Sequence, residues 1–450
     1  MDTAREPNLE KFARDATGFA VLTPEDPAYD GSTEIWNGFV TARPRVLVRA
    51  TRAEHVQEAL RIAAKSNMPV SVKSGGHDWA GRALTAGGLT VDLSAMREVR
   101  IDVDRRLARL GGGARLADVV DAAGAHGLAA ATGTYSDVGY TGWAIGGGYG
   151  PLSGIVGLGA DNIVEAQLVT ADGSIVTASQ QQDADLLWAI RGGGGNFGVI
   201  TELTVRLHPL PEVAVGAVMF GADQMQGALA RLDSVLDAAP GELSVQPAIM
   251  AGDDGSPSLT LSLTWAGTFG GEADHWFGRL AGLGTPATRF DVTTPSGALH
   301  ALDGQFPNGL HYVIRTANVA AITPAVAAAL TTAAHSSSTG AISLHRLHGV
   351  ATRVAAHDTP FALRDKHYMV EIIGIAESAE GLQAQRSWAD SVLDDLQPHI
   401  LPAGYVNLLA PEETARAAAA YDGNLERLLA VKRRLDPNGL FQATPFPLHR

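Results

Sequence analysis

The chain has 450 residues, no cysteine, and 34 Lys and Arg against 48 Asp and Glu, for a net charge of -14. Without thiols it has no disulfide, thiolate metal site, iron–sulfur cluster or cysteine nucleophile, so redox chemistry requires a bound cofactor. The acidic balance speaks against a general nucleic-acid or anionic-membrane surface, and neither a membrane-length apolar run nor a basic-then-apolar leader is present, so the expectation is a cytoplasmic protein, monomer or homodimer.

Residues 1–34 read as an N-terminal segment. The first clear element is a helix from Thr51 to about Ser66: Thr51 and Glu54 have capping-box spacing, and Val56, Leu60 and Ala63 recur on one face. Pro69 to Lys73 predicts a strand that runs directly into Ser74-Gly-Gly-His-Asp-Trp-Ala-Gly81, and Leu89 to Leu93 predicts a buried strand. A strand over 107–111 follows, then a helix from Leu116 to His126 with Gly127 as its left-handed stop, then a glycine-rich stretch from Gly133 to Gly159. Asp172-Gly173 between two β-prone segments marks a hairpin.

Asp185 to Ile190 predicts a short helix ending in Arg191-Gly-Gly-Gly-Gly195, and Thr201 to Leu207 alternates as a strand until Pro209 and Pro211. That proline pair separates residues 35–211 from a region, 212–400, of longer strands (Leu259 to Trp265, Tyr368 to Ile375) and Ala-rich helices, one opening at Thr323-Pro324. The pattern suggests a sheet covered by helices. Residues 401–450 return to helix, opening at Pro411, and finish in the turn Asp436 to Gly439.

Glycine is abundant, 51 residues, and it gathers near Gly75, Gly111, Gly146 and Gly192, as backbone pressed against a ligand would require. At Ser74 to Gly81, paired glycines let backbone N–H groups approach an anion, His77 offers an imidazole, and Lys73 adds a positive charge. A tight turn with a surface histidine is the other reading. Gly142 to Gly150 and Arg191 to Gly198 are further glycine runs, neither with the spacing of a Rossmann dinucleotide site, and no P-loop, HExxH or GxSxG motif occurs.

Five separated motifs occur in one order: Arg43-Pro44; Ser74-Gly-Gly-His77; Gly146-Gly-Gly-Tyr-Gly150 with Gly157-Leu-Gly-Ala-Asp-Asn162; Leu187-Trp-Ala-Ile-Arg-Gly-Gly-Gly-Gly-Asn-Phe-Gly198; and Tyr421 to Leu428 with Lys432 and Asp436-Pro437. In this combination the chain resembles the berberine-bridge-enzyme-like FAD-linked oxidases of the vanillyl-alcohol-oxidase superfamily, from about Ile35 to its end. The resemblance implies an α+β fold: a PCMH-type FAD-binding domain of two subdomains over 35–211, a substrate domain over 212–400 with an antiparallel sheet covered by helices, and a segment over 401–450 that returns to the FAD domain.

It also implies FAD bonded covalently through His77 to the flavin 8α-methyl group. Lys73, Ser74, Gly75, Gly76, Asp78 and Gly81 would hold the pyrophosphate. Thr134, Tyr135, Val138, Gly139, Gly142, Trp143, Gly146, Gly147, Gly148, Tyr149 and Gly150, with Gly157, Leu158, Asp161 and Asn162, would line the ribityl and adenosine portions. Val199 would lie near the adenine, and Asn407 and Asn424 would return from the C-terminal segment. Two departures stand out. Tyr135 occupies the position of a second, cysteinyl attachment in many relatives, so a single histidyl linkage is expected; Trp143 stands where several relatives carry His near the ribityl chain.

The implied reaction removes a hydride from a C–H carbon and requires a group to take the accompanying O–H or N–H proton, unless the substrate is an already neutral amine. Glu371 interrupts an apolar strand and is the first candidate base; an exposed alternate on a half-buried strand is the equally open reading. Tyr405, in Gly404-Tyr-Val-Asn407, resembles a flavin-proximal C-terminal strand and either hydrogen-bonds the substrate or is a core aromatic. Val138 resembles the small residue that gives dioxygen access in oxidases, or is an ordinary packed valine.

His345 and His348, three apart, fall on opposite faces of a strand, so they form no metal pair; one of them could line the pocket, and His348 is the catalytic candidate. Arg315 has similar standing. No metal is expected. The expected activity is an oxidase acting on a small organic alcohol, amine or carbohydrate and giving hydrogen peroxide from dioxygen. A flavin dehydrogenase or cyclase with little use of dioxygen, and a non-catalytic flavin-binding relative, remain alternatives.

Overall fold

The structure, a computed structural model, describes residues 19–252 and 255–447. The first eighteen residues of the expected N-terminal segment therefore lie outside the described residues. Three sheets organise the rest. In the first, β1 (Ala20–Leu22), β2 (Val46–Arg49), β3 (Val70–Lys73) and β4 (Leu89–Asp92) run in the order β1-β2-β4-β3, with β4 parallel to both β2 and β3.

The helix Ala53–Lys65 makes the crossover from β2 to β3 and buries Val56, Ala59, Leu60 and Ala63 against Val46, Val48 and Val91. This is the helix read from the periodicity. Its capping box is not formed: the N-cap is Arg52 without a side-chain cap, and the Thr51 hydroxyl faces His55 Nδ1 at 3.2 Å. An imidazole one turn ahead takes the hydroxyl that the cap needed.

The second sheet holds β5 (Val99–Asp102), β6 (Leu107–Gly111), β7 (Leu128–Ala130), β8 (Ile163–Val169), β9 (Ile175–Ala178) and β10 (Val199–Pro209). β10 is its spine, antiparallel to β6, β7 and β8. The hairpin between β8 and β9 turns at Gly173, whose φ of 81° is the left-handed conformation glycine accepts. The helix Leu116–Gly124 packs Val119, Val120 and Ala123 on this sheet and stops two residues short of the predicted end. Within the glycine-rich stretch the chain makes two short helices, Tyr140–Ile145 and Ser153–Val156.

After Pro211 the chain enters a seven-stranded, wholly antiparallel sheet made of β11 (Val213–Phe220), β12 (Leu243–Ala251), β13 (Pro257–Trp265), β14 (Ala287–Thr293), β15 (His311–Val319), β16 (Ala341–Leu347) and β17 (His367–Ala376). Their order is β14-β11-β13-β12-β16-β17-β15. Strand alternation gives the sheet two unlike faces. Leu243, Val245, Leu261, Leu263, Leu344, Val370 and Ile372 bury against the helices Ala222–Leu236, Pro324–His335 and Ala379–Leu396. Thr323 caps the second of these helices through Val326 N, as its Thr-Pro start predicts. The opposite face, carrying Gln246, Ser262, His345 and Glu371, looks toward the glycine-rich stretch.

The C-terminal helices Thr414–Tyr421 and Leu425–Leu435 return to the core of the second sheet, where Ala417, Tyr421, Leu425 and Leu428 join Leu168, Leu186 and Leu203. Lys432 fixes this return, its buried ammonium bonding Asp436 Oδ2 at 2.6 Å and the carbonyls of Asn196 and Phe441 at 2.7 Å. Two readings need correction here. The first helix opens at Thr414 rather than at Pro411, and Gly404 to Asn407 forms no strand but enters a turn in which the amide of Leu408 donates to the Tyr405 carbonyl. Among the described residues no helix is long and apolar enough to cross a membrane.

Candidate functional site

Between the glycine loops and the polar face of the seven-stranded sheet lies a cavity of about 320 Å³. Its first wall is backbone. Ser74 to Asp78 leaves the end of β3 and packs on Gly139 so closely that a Cβ on Gly75 would stand 2.3 Å from Gly139 N. At Gly76 the chain turns through a φ of 72°. The amides of Gly75, Gly76 and His77 donate to no protein acceptor among the described residues, which leaves a row of N–H donors suited to an anion such as a pyrophosphate.

Arg82 grips Asp78 through two guanidinium nitrogens, at 3.0 and 2.6 Å, and donates to the Asn407 carbonyl at 3.0 Å, tying the loop to the C-terminal segment. Its Nη1 is buried without a partner and Arg82 lies in the cavity wall, as does Thr141, whose buried Oγ1 also has none. A glycine-lined trough with free amides and unsatisfied buried donors fits a dinucleotide cofactor of the FAD type.

His77 closes this glycine turn, its side chain lining the cavity and only 18% exposed. Its ring stacks on Trp36 at 4.5 Å, and Trp36 stacks in turn on Tyr312 at 3.9 Å. Its Nε2 lies 3.6 Å from Asp137 Oδ1. Burial pushes the imidazole pKa down, opposed by the Asp137 charge, so the neutral ring with a free nitrogen lone pair is favoured near pH 7.

The sheet supplies the other wall. Ile314 from β15, His345 from β16, and Met369, Glu371 and Ile373 from β17 all face the cavity. His345 Nε2 and Glu371 Oε2 are 3.3 Å apart with side chains only 14% and 15% exposed. Three phenol or imidazole groups feel the Glu371 charge after the effect of their own burial: Tyr135 and Tyr405, whose pKa values it raises further, and His77, whose depression it opposes.

Tyr405 is pushed up to about 12 by burial. Its oxygen accepts from Gly148 N at 3.1 Å and Asn407 Nδ2 at 3.0 Å, so its own proton is left to donate. Val138 sits beside Tyr135 in the same wall.

Of the residues singled out from the sequence, Ser74, Gly75, Gly76, His77, Asp78, Thr134, Tyr135, Val138, Gly139, Gly142, Trp143, Tyr149, Val199, His345, Glu371, Tyr405 and Asn407 line this cavity. Others stand elsewhere for identifiable reasons. Lys73 turns back to donate to the Ser32 carbonyl at 2.7 Å, and Gly81 lies where a Cβ would meet Val40. Asp161 is neutralised by a buried two-pronged pair with Arg364, at 2.8 and 3.0 Å, and accepts from Leu158 N.

Asn162 donates to the carbonyls of Val156 and Leu158, and Asn424 to those of Ala356 and Thr359. Gly146, Gly147, Gly148, Gly150 and Gly157 are packing glycines, pressed on Asn407, Tyr405, Gly159, Thr132 and Asp161 respectively. His348 is also misplaced as a catalytic candidate. It lies past the end of β16, buried against the carbonyls of Arg346 and Leu243, and burial lowers its pKa to about 4; His345 takes the place in the cavity. Arg315 points to the helical side and pairs with Asp390 at 2.7 Å.

Trp36, Arg82, Asp137 and Gln246 were not foreseen. Asp137 directly precedes Val138 and was within reach of the motif argument; Trp36 and Gln246 carry no local signal, since only the fold brings them to His77 and His345.

Two family models match the chain. The FAD binding domain family matches residues 44–179, and the berberine and berberine like family matches residues 404–445. The FAD-linked oxidoreductase aurO of Gibberella zeae is 32% identical over 96% of this chain and 86% of its own length. The (R)-6-hydroxynicotine oxidase of Paenarthrobacter nicotinovorans is 36% identical over 64% of each chain. The crystal structure of 6-hydroxy-D-nicotine oxidase from Arthrobacter nicotinovorans superposes with a TM-score of 0.87 at 29% identity, covering 96% of this chain and 98% of that one.

Proposed function

Because this chain belongs to the berberine-bridge-like family of FAD-linked oxidoreductases, we propose that it is an oxidase that takes a hydride from a small organic alcohol, amine or carbohydrate in this cavity and carries its FAD on His77. Bound FAD supplies the hydride acceptor and the passage of electrons to dioxygen, with hydrogen peroxide as product. His77 would be the single point of covalent attachment, a neutral imidazole presenting a nitrogen lone pair. The free amides of Gly75, Gly76 and His77 would hold the pyrophosphate, and Val138 would leave the approach of dioxygen open.

The observation that carries the reading is the Glu371–His345 pair, 3.3 Å apart, facing the same cavity as His77 and Tyr405. Glu371 Oε2 takes the substrate O–H or N–H proton, and His345 Nε2 receives or shares it. Tyr405 donates its phenolic proton to the substrate heteroatom and orients it. Met369 and Ile373 flank Glu371 on the same face of β17, and the pair's own low exposure, 14% and 15%, limits the water that competes for that proton.

The test is hydrogen peroxide release across a panel of alcohols, amines and sugars, followed by Glu371→Gln with the substrate found. Turnover is expected to fall by about a hundredfold or more, the usual worth of a positioned general base, with KM changed by no more than a few fold. Unchanged turnover contradicts the role given to Glu371.

A further inference from the structure

The seven-stranded sheet ends in two unlike strands, β15 and β14. The edge at β15 is covered. Its Tyr312 amide donates to Asn37 Oδ1, its Asn318 carbonyl accepts from the Leu401 amide, and all its residues but His311 are buried. In contrast, β14 pairs only with β11 and is exposed from Ala287 to Val292. Its register on β11 runs without a bulge, and it holds no Pro, Gly or Lys to discourage a further strand.

Antiparallel alternation decides which backbone groups of β14 are free. The Ala266 amide donates to the Glu242 carbonyl. Counted from there through the registers of β12, β13 and β11, Arg289 and Asp291 bond toward β11, while the N–H and C=O groups of Thr288, Phe290 and Val292 turn outward. The Val292 amide agrees, donating to its neighbour's Asp291 Oδ1 at 2.8 Å; those of Thr288 and Phe290 have no protein acceptor among the described residues. Arg289 and Asp291 stand on the polar face, both exposed and neither in an ion pair among the described residues. On the other face Phe290 stacks on Phe277 of the helix Gly271–Ala281 at 5.0 Å yet stays 45% exposed, and Val292 is 50% exposed.

The segment Thr288-Arg-Phe-Asp-Val292 is complementary to itself. About a two-fold axis through Phe290, the outward groups of Phe290 meet those of Phe290 in a second copy, Thr288 meets Val292, and Arg289 faces Asp291 twice, at the closely spaced positions between the hydrogen-bonded pairs. A shift to the next register that keeps like faces together sets Arg289 opposite Arg289 in one direction and Asp291 opposite Asp291 in the other, and directly opposed like charges disfavour both. A single sign of charge would repel every copy of the strand; the two signs here favour one register.

We propose that β14 is a homodimer interface, pairing with β14 of a second copy about Phe290 so that the two sheets become one antiparallel sheet. Asp291 gives up the Val292 amide to the Thr288 carbonyl of the second copy and takes that copy's Arg289 in exchange. The inference is independent of the reaction assigned to the cavity.

Sedimentation velocity of the full chain, loaded with FAD, tests it over a concentration series. Wild type is expected to sediment as a dimer. Arg289→Asp and Asp291→Arg each turn both ion pairs into like-charge contacts, and each is expected to weaken the dimer at least about tenfold. Both side chains are exposed, so neither change disturbs the core. Mixed in equal amounts, the two variants should form a mixed dimer of wild-type affinity, because each then meets the opposite charge, and the chain carrying both changes should dimerise by itself. A wild type that stays monomeric throughout, a dimer that survives either single reversal, or variants that stay apart when mixed overturns the proposal.

Discussion

The two ends of the cavity are built from different material. At the His77 end the wall is main chain: Gly75 and Gly139 touch backbone to backbone, and the donors are amides. At the Glu371 end the wall is side chain, contributed by Ile314 of β15, His345 of β16, and Met369, Glu371 and Ile373 of β17. A backbone wall tolerates no added atom, whereas a side-chain wall admits substitution and loses only the group removed.

Four variants sharpen that contrast, in decreasing order of effect. Gly75→Ala places a methyl group 2.3 Å from Gly139 N. Backbone on both sides leaves nothing to give way, so FAD content, read from the visible spectrum of the purified protein, is expected to fall close to zero. Normal FAD content in this variant would mean that the loops separate freely and the contrast is wrong. At the other end Glu371→Gln should leave FAD content intact while lowering turnover as described above.

His345→Gln should cost less, about tenfold in kcat, and should shift the pH profile of kcat, because a proton-sharing neighbour is lost while the base stays. An unmoved profile would reduce His345 to a packing residue. The smallest effect concerns stability. Burial holds His348 and His367 at about 4 in the folded chain, below the ordinary 6.5. The unfolded chain then binds more protons between those values, so the stability tied to the neutral rings is complete above about pH 6.5 and is lost progressively as pH falls toward 4. Thermal unfolding midpoints should decline over that window, and less steeply in His348→Asn; a midpoint flat from pH 7 to 4 contradicts this.

The same contrast explains what could be read from sequence. The Ser74 to His77 loop, the Gly173 hairpin, the left-handed Gly127 and the Thr323 cap each depend on residues a few positions apart, and each is visible in the local pattern. Glu371 could be flagged as a charge within an apolar strand. Its partner could not be chosen, because only the pairing of β16 with β17 sets His345 beside it and leaves His348 beyond the strand end.

Asp161 was misread for a related reason. Its carboxylate sits among glycines that suggest a ligand, but the neutralising guanidinium of Arg364 arrives from a segment distant in sequence. The lost capping box at Thr51 shows a local rule yielding to a nearer competitor, the His55 ring.

The proposed bond between His77 and the cofactor joins the two ends of the cavity's chemistry. Intact-mass measurement of the denatured wild-type protein and of His77→Ala would decide it. The wild-type polypeptide is predicted to carry the mass of one FAD that denaturation does not release, and His77→Ala to show the bare chain. A wild-type chain of bare mass, or an adduct that persists in His77→Ala, would contradict the attachment.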